Sequence, residues 1–201
     1  MKRYIFLTAS VVLMGLGSWL AATNGLKFVS GHTVSAPLPT EERSDKEKMA
    51  PPVPEKTVVY EERPVEGDMI GQLIIPKLDA VLPIYHGTDE DELEKGVGHY
   101  AGSVLPGEKD HTVLSGHRDT VFRRLGEVGK GDILIVTTSK DEFTYKIRKV
   151  RIVDADDRTV IVPKPRAALS VTTCYPFTYI GDAPERYILT GDLIKTKIMT
   201  D

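Results

Sequence analysis

The sequence contains a single cysteine, Cys174, among its 201 residues, so no intramolecular disulfide can form. It also lacks a strong excess of either charge, because the formal net charge is −3. That near-neutral balance provides no basic surface for a nucleic acid, and we expect no nucleic-acid partner. With 41% hydrophobic residues, the chain can supply one packed domain plus appendages.

Charge is absent from one long segment near the N-terminus. Residues 4–26 contain no charged side chain, whereas Lys2 and Arg3 precede them. About 20 residues of helix span the hydrocarbon core of a bilayer. We therefore predict a signal-anchor transmembrane segment at residues 1–30. A cleaved signal peptide is the alternative, but the apolar run is long and no clean small-residue cleavage motif precedes Thr23.

The positive charges give this predicted anchor an orientation. Positively charged residues favour the cytoplasmic side of a membrane, and Lys2 and Arg3 lie before the apolar run. We expect a single-pass protein of the cell membrane, embedded in lipid, with its N-terminus inside and the remaining chain on the extracellular face. A helix buried in a soluble domain is disfavoured, because such a helix rarely stays uncharged on every face.

Residues 31–64 have the composition of a linker. The stretch SAPLPTEERSDKEKMAPPVPEK at 35–56 is rich in Pro, Glu and Lys and contains no aromatic residue. Such a segment buries too little apolar surface to offset the entropy lost on ordering, and its prolines favour extended conformations. We predict a disordered spacer here. A helical hairpin would have to accommodate five prolines.

Residues 65–201 show short apolar segments separated by turns, which predicts an all-β domain. Candidate strands are 70–75, 80–85, 112–115, 132–137, 142–153, 170–174 and 186–197. In EFTYKIRKVRIV at 142–153 the alternation changes phase near Lys149, which predicts a bulge or a sharp bend. Helices are predicted only at 91–96 and at 120–125, and GVGHYAG at 96–102 is interpreted as a loop. This pattern favours a closed barrel or a sandwich.

Cys174 follows the apolar run ALSVTT and precedes Tyr-Pro. Because Pro176 cannot donate to a sheet ladder, the strand should end there and place the thiol beside a loop. His117 also lies where a strand pattern ends, and Arg186 opens the last predicted strand. Taken singly, a lone cysteine is most often a small buried apolar residue. His117 could equally be a solvated loop residue, and Arg186 a surface partner of Glu185.

Together, these three residue types suit nucleophilic catalysis. A nucleophilic thiol needs a group that favours thiolate and later delivers a proton, and histidine does both. Attack on an amide builds an oxyanion, which a guanidinium with fixed donors stabilises in a dry cleft. Cysteine, histidine and arginine at three strand ends of one barrel could converge on one site.

The motifs SGHRDT at 115–120, TTCYPF at 172–177 and ERYIL at 185–189, in that order behind an N-terminal anchor, resemble those of the sortases of Gram-positive bacteria. HRDTVF and CYPFTYIGDAPERYIL are most similar to the class D branch. The resemblance extends from GQLIIPKL at 71–78 to the final strand. It implies a closed eight-stranded sortase-type β-barrel with short helices, occupying residues 65–201.

The resemblance also implies an activity. Sortases are cysteine transpeptidases that cut an LPXTG-like sorting signal of a surface protein after its threonine, through a thioester. They then pass the acyl group to an amine of the peptidoglycan precursor lipid II. By motif, Cys174 is the nucleophile, His117 the general acid/base and Arg186 the residue that stabilises substrate and oxyanion. Thr173 corresponds to the threonine of the family motif TLXTC, which here reads SVTTC, and is expected to line the substrate cleft.

Two other functions remain open at this point. The same residues would serve a surface cysteine endopeptidase that finishes by hydrolysis. A non-catalytic, membrane-anchored β-domain that binds a partner would need Cys174 only as a buried side chain. Its thiol should then resist alkylation in the folded protein.

Other charged and histidine-containing segments carry weaker predictions. Asp119 could orient the imidazole of His117, but we favour an N-cap for the helix predicted at 120–125. His86, His99 and His111 lack zinc-ligand spacing. The acidic stretches at 89–94 and 154–157 lack the alternating ligands of a calcium loop and are interpreted as solvated surface. We therefore expect no metal site and no required cofactor, although some sortases use Ca²⁺.

Overall fold

The computed structural model describes residue 60 and residues 62–178, 181 and 183–199. The predicted anchor at 1–30 and most of the predicted linker at 31–64 lie outside these residues. No helix in the described part of the chain is both long and apolar enough to traverse a bilayer.

Eight strands form a closed barrel in the order β1-β2-β3-β4-β7-β8-β6-β5. The strands are β1 Met69–Ile75, β2 Ala80–His86, β3 Val97–His99, β4 His111–Ser115, β5 Ile133–Thr137, β6 Asp141–Asp154, β7 Ala168–Tyr175 and β8 Glu185–Ile198. Pairs β2–β3 and β4–β7 are parallel, and the remaining neighbours are antiparallel. The prediction of a closed eight-stranded barrel is confirmed.

The barrel interior is filled by the inward-facing side chains of the strands. Every second residue of β5 is buried, and the same alternation holds in the first half of β6, where Phe143, Tyr145 and Ile147 are buried. The largest fully buried side chains include Tyr145, Phe143, Leu73, Leu134 and Leu189. The predicted irregularity near Lys149 is also confirmed, because the register of β6 against β8 shifts between Ile147 and Lys149.

One short α-helix, α1 (Glu90–Lys95), lies in the connection between β2 and β3. A capping box begins it: the Asp89 side chain accepts from the Glu92 backbone N–H, and the Glu92 side chain accepts from the Asp89 backbone N–H. Acidic side chains in the first turn and Lys95 in the last complement the helix dipole. This helix is one residue earlier than the one predicted at 91–96.

Strand β3 was not predicted, because its segment was interpreted as a loop. Its sequence, Val-Gly-His, shows no alternation, yet all three residues are buried between β2 and β4. Glycine is required by close packing at Gly98. A Cβ there would lie 2.6 Å from the carbonyl oxygen of Gly87.

The helix predicted at 120–125 is wrong. Residues 118–124 form turns, and a 3₁₀-helix follows at Leu125–Glu127. The Phe122 N–H donates to the His117 carbonyl, five positions back, so the α-helical register does not begin. The Phe122 and Leu125 side chains on this path are buried in the core.

Candidate active site

Cys174 lies near the end of β7, which stops at Tyr175, before Pro176, as predicted. Its thiol is free and partly exposed. Across the ladder, Cys174 is the direct partner of Arg186 on β8. Facing residues of antiparallel strands project from the same side of the sheet. The sheet therefore brings these two side chains to one side of the barrel wall.

His117 follows β4 by two residues, and β4 runs parallel to β7. Parallel neighbours end at the same rim, so His117 and Cys174 reach the same end of the barrel. Two hydrogen bonds join the rim: the Gly116 N–H donates to the Thr172 carbonyl at 3.3 Å, and the Thr173 hydroxyl donates to the Gly116 carbonyl at 2.7 Å. These bonds fix the backbone immediately before the imidazole.

The imidazole of His117 contacts helix α1. Its Nε2 lies 3.3 Å from Oε1 of Glu90, and the side chain of His117 is 34% exposed. The capping box fixes the first turn of α1, and this turn contains the backbone of Glu90. The imidazole therefore has an acidic neighbour outside the three predicted catalytic residues.

Arg186 is held by the connection that precedes it. Its Nη1 donates to the carbonyl oxygens of Ala183 and Glu185, both at 3.0 Å. A planar guanidinium restrained through one nitrogen keeps its remaining donors in a fixed fork. The sequence interpretation of Arg186 as a surface partner of Glu185 is not supported, because the contact is to the backbone carbonyl of that residue.

The three predicted catalytic side chains share one cavity of about 360 Å³. Its lining consists of His117, Arg118, Asp119, Cys174, Gly181, Ala183 and Arg186. The cavity therefore holds a thiol, an imidazole and two guanidinium groups beside the backbone of the β7–β8 connection. This convergence of strand ends was predicted from the sequence motifs.

Thr173 lies elsewhere than the sequence suggested. It is 3% exposed and does not line this cavity, and its hydroxyl bonds to Gly116 instead. Neighbouring strand residues face opposite sides, so Cys174 faces the cavity and Thr173 faces the barrel interior. Its contact supports the loop that carries His117.

Asp119 does not have the capping role that we favoured, because no α-helix begins after it. The Asp119 side chain is 73% exposed, and its Oδ1 lies 3.5 Å from Nε of the neighbouring Arg118. Arg118 itself, which sequence reasoning missed, is buried in the cavity wall. In the sequence, its position directly after His117 could have indicated that Arg118 lies in the same site.

His86, His99 and His111 form contacts away from this cavity. Nδ1 of His86 lies 3.0 Å from Nδ1 of His99, and the two rings stack. His111 contacts the carbonyl of Val162 through Nδ1 and the Ser170 hydroxyl through Nε2. Within the described ranges, no group of three or more His, Cys, Asp or Glu side chains is placed to hold a metal ion.

A second, larger cavity of about 640 Å³ lies apart from these residues. Its wall includes Tyr60, Met69, Thr138 and Met199. It contains neither the thiol nor an imidazole. The smaller cavity around Cys174 is the candidate active site.

Comparisons with known proteins agree with this fold. A profile of the Sortase domain family matches residues 73–194. The chain is 55% identical over 130 residues to Sortase D of Bacillus subtilis, and this alignment covers 64% of this chain and 66% of that protein. It is 26% identical over 133 residues to Sortase A of Bacillus anthracis, and this alignment covers 64% of this chain and 61% of that protein. The chain thus spans slightly less than two thirds of these relatives' lengths.

Solved structures give the same result. A Sortase D5 transpeptidase from Clostridium perfringens superposes with a TM-score of 0.60 at 28% identity, over 65% of this chain and 82% of that one. Sortase A from Corynebacterium diphtheriae superposes with a TM-score of 0.59 at 30% identity, over 65% and 62%. The similarity to class D in the motifs is therefore supported by the overall alignment.

Proposed function

This chain belongs to the sortase family, and we propose that it is a class D-type cysteine transpeptidase that joins surface proteins to a cell-wall precursor. The observation that carries this proposal is the cavity shared by Cys174, His117 and Arg186. Its thiol is partly exposed, so it is accessible to a peptide. A buried structural cysteine would not need an imidazole and a guanidinium in the same cavity wall.

The first half of the reaction forms a thioester. The thiolate of Cys174 attacks the threonine carbonyl carbon of an LPXTG-like sorting signal, and the carbonyl oxygen becomes an oxyanion. The N–H donors of Arg186 stabilise that negative charge. Because the guanidinium is already fixed in place, little reorganisation energy is needed in the transition state. The imidazolium of His117 then gives its proton to the departing amine as the amide bond breaks.

The second half transfers the acyl group. An amine of lipid II attacks the thioester carbonyl, and neutral His117 accepts a proton from that amine. A new amide bond forms, and Cys174 leaves as thiolate. The cycle returns the thiolate and the imidazolium with no net change in the enzyme. No cofactor is needed for these steps, and we propose none.

The substrate groove is proposed to involve the loop between Ile152 and Ala168 and the segment after Cys174. One contact supports this assignment: the Ala155 N–H donates to the Pro184 carbonyl at 2.9 Å. This bond joins the start of the β6–β7 connection to the end of the β7–β8 connection, next to Arg186. Side chains from both connections can therefore flank a bound sorting peptide.

The setting of the reaction is part of the proposal. The uncharged run at 4–26 behind Lys2 and Arg3 supports a single-pass membrane protein, in contact with lipid, whose catalytic domain lies outside the cell. Sorting signals of surface proteins and lipid II both meet such a domain at the outer membrane face.

The test uses the purified full-length chain in detergent, mixed with LPXTG-variant peptides and a small amine acceptor, with products identified by mass spectrometry. An amine-ligated product that is absent in Cys174→Ala establishes transpeptidation. Cleavage to the free acid despite abundant acceptor identifies an endopeptidase instead. Absence of any turnover, together with a Cys174 thiol inert to iodoacetamide, identifies the non-catalytic β-domain.

A further inference from the structure

Arg118 is buried in the wall of the active-site cavity, directly after His117. Its side chain is 7% exposed, and its Nη2 donates to the Gly181 carbonyl oxygen at 2.7 Å. Its Nη1 lies 3.5 Å from the carbonyl oxygen of Pro176, a longer contact. Both acceptors belong to the connection between β7 and β8. Arg118 therefore links the loop after β4 to the loop that follows the thiol.

Gly181 occupies a backbone conformation that suits only glycine well. Its φ is +101°, outside the regions open to residues with a Cβ. This conformation sets the direction of the carbonyl that Arg118 binds. At Gly181 the connection thus has a conformation that favours glycine, and its carbonyl binds a side chain from another loop.

The same connection restrains Arg186. The Ala183 carbonyl accepts from Nη1 of Arg186, and Ala183 lies two residues after the carbonyl bound by Arg118. A shift of the connection would move the acceptor that fixes the Arg186 guanidinium. The two arginines are therefore joined through a short piece of backbone in the cavity wall.

Burial of a guanidinium is costly unless its donors find acceptors. An apolar side chain of similar volume would fill the same space without that cost. The carboxylate of Asp119 is 73% exposed and its Oδ1 lies 3.5 Å from Nε of Arg118, and exposed ion pairs contribute little. The 2.7 Å bond to the Gly181 carbonyl is a contact that an apolar side chain could not make.

We propose that Arg118 is a positioning residue, which holds the β7–β8 connection so that Arg186 meets the oxyanion formed at Cys174. The catalytic part of this inference rests on the proposed transpeptidase reaction. The loop-holding part does not, because it concerns the unliganded protein. Arg118 touches neither the sulfur nor the peptide in this role.

The experiment compares Arg118→Met, Arg118→Lys and Arg124→Gln in the full-length protein. Arg124→Gln is the matched control, because it removes one positive charge from the same segment while Arg124 is paired on the surface with Glu127. Peptide kinetics, iodoacetamide labelling of Cys174 and amide hydrogen exchange are measured for each. The lysine variant retains one donor toward the Gly181 carbonyl.

For Arg118→Met we expect kcat/KM to fall by about 10- to 100-fold, chiefly through kcat, because small misplacements of catalytic groups have effects of this size. Arg118→Lys should recover about tenfold of that loss, and Arg124→Gln should match wild type. Amides at residues 177, 178, 181, 183 and 185 should exchange faster in Arg118→Met, while those of β4 and β7 keep wild-type protection. Iodoacetamide labelling should stay within about twofold of wild type.

Two results would overturn the inference. One is an Arg118→Met enzyme with wild-type kinetics and wild-type exchange in the connection. The other is faster exchange throughout β4, β7 and β8 in both Arg118 variants, which assigns Arg118 to global stability. If the wild type turns over no peptide yet the connection alone loosens in Arg118→Met, the proposed function fails while the loop-holding role stands.

Discussion

Cys174 on β7 lies directly opposite Arg186 on β8 in the antiparallel pairing of these strands. Side chains at such facing positions have Cβ atoms about 4.5–5.5 Å apart and project to the same face. Arg186 is also restrained by the carbonyls of Ala183 and Glu185, and both Arg186 and Cys174 line the same cavity. The barrel wall itself thus carries two of the three residues to which we assign catalytic roles.

The first prediction concerns this pair. Arg186→Lys should lower kcat/KM by about 100-fold, because an ammonium lacks the planar fork of donors that faces the oxyanion. Peptide kinetics at saturating acceptor measure the loss. Alkylation of Cys174 by iodoacetamide should change little, since this reaction forms no oxyanion. Equal losses of peptide turnover and alkylation would contradict the assigned role.

The second prediction concerns Thr173. Thr173→Val preserves shape but leaves the buried carbonyl of Gly116 without its 2.7 Å donor. An unsatisfied buried acceptor costs about 1–3 kcal/mol, so we expect a clear fall in Tm. We also expect about tenfold lower kcat/KM, because His117 directly follows Gly116.

Thr173→Ser is the matched control for this hydroxyl. It retains the donor, so both Tm and turnover should return most of the way to wild type. A serine variant as impaired as the valine variant would assign the effect to the lost methyl group and its packing.

The third prediction is a loss of stability in mild acid. Burial lowers the pKa of the His111 imidazole, and nearby Lys164 lowers it further, against smaller opposing effects of the Val162 carbonyl and Asp110. Arg148 also faces this group and acts in the same direction as Lys164. Because its Nδ1 must donate to the Val162 carbonyl, its Nε2 accepts from the Ser170 hydroxyl. A proton on Nε2 would reverse that second bond, and the Ser170 hydroxyl would then have to accept from Nε2 and donate to Thr190.

The sign follows from the lowered pKa. The unfolded chain binds this proton near pH 6.5, whereas the folded chain binds it only at lower pH. Stability should therefore be constant above about pH 7 and fall as the pH drops below about 6.5. Tm measured between pH 7.5 and 5 in steps of about half a unit tests this slope.

His111→Gln separates this group from the carboxylates. Glutamine can donate to one partner and accept from the other without titrating, so its Tm should fall less steeply in the same interval. His99 contributes in the same direction, because burial also lowers its pKa. An unchanged slope in His111→Gln would assign the acid effect to other groups.

Much of the barrel could be predicted because most of its strands show their pattern of apolar residues within their own segment of sequence. Alternation identified β6, and the change of phase near Lys149 identified its bulge. Strand β3 was missed because Val-Gly-His has no period of its own. It is a strand only through its pairing with β2 and β4, which is a non-local property.

The residues of the candidate site also fall into two groups, those that the sequence marks and those that only the fold brings together. Cys174, His117 and Arg186 could be located because strand ends and motifs mark them in the sequence. Glu90 and Arg118 could not, because their partners are brought near by the β2–β3 and β7–β8 connections. The helix expected at 120–125 failed because burial of Phe122 and Leu125 overrides a local capping signal.

The fourth prediction concerns metal ions. Addition of EDTA, or of millimolar Ca²⁺, should leave peptide turnover and Tm unchanged. Within the acidic stretch at 89–94, Asp89 and Glu92 are engaged with each other in the capping box of α1. Isothermal titration with Ca²⁺ checks this directly, and saturable binding coupled to faster turnover would contradict it.

The last prediction concerns the contact between Glu90 and His117. Glu90 is 71% exposed and lies 3.3 Å from the imidazole, so the pair is screened by solvent and contributes little to folding. Glu90→Gln should leave Tm unchanged but lower kcat/KM a few-fold at low salt, because a carboxylate stabilises the imidazolium that protonates the leaving amine. Near 1 M salt, where screening acts within about 3 Å, the variant and the wild type should converge. Glu94→Gln, an exposed change of the same charge on the same helix, should match wild type throughout. A deficit in Glu90→Gln that persists at high salt would show that the carboxylate acts through geometry rather than charge.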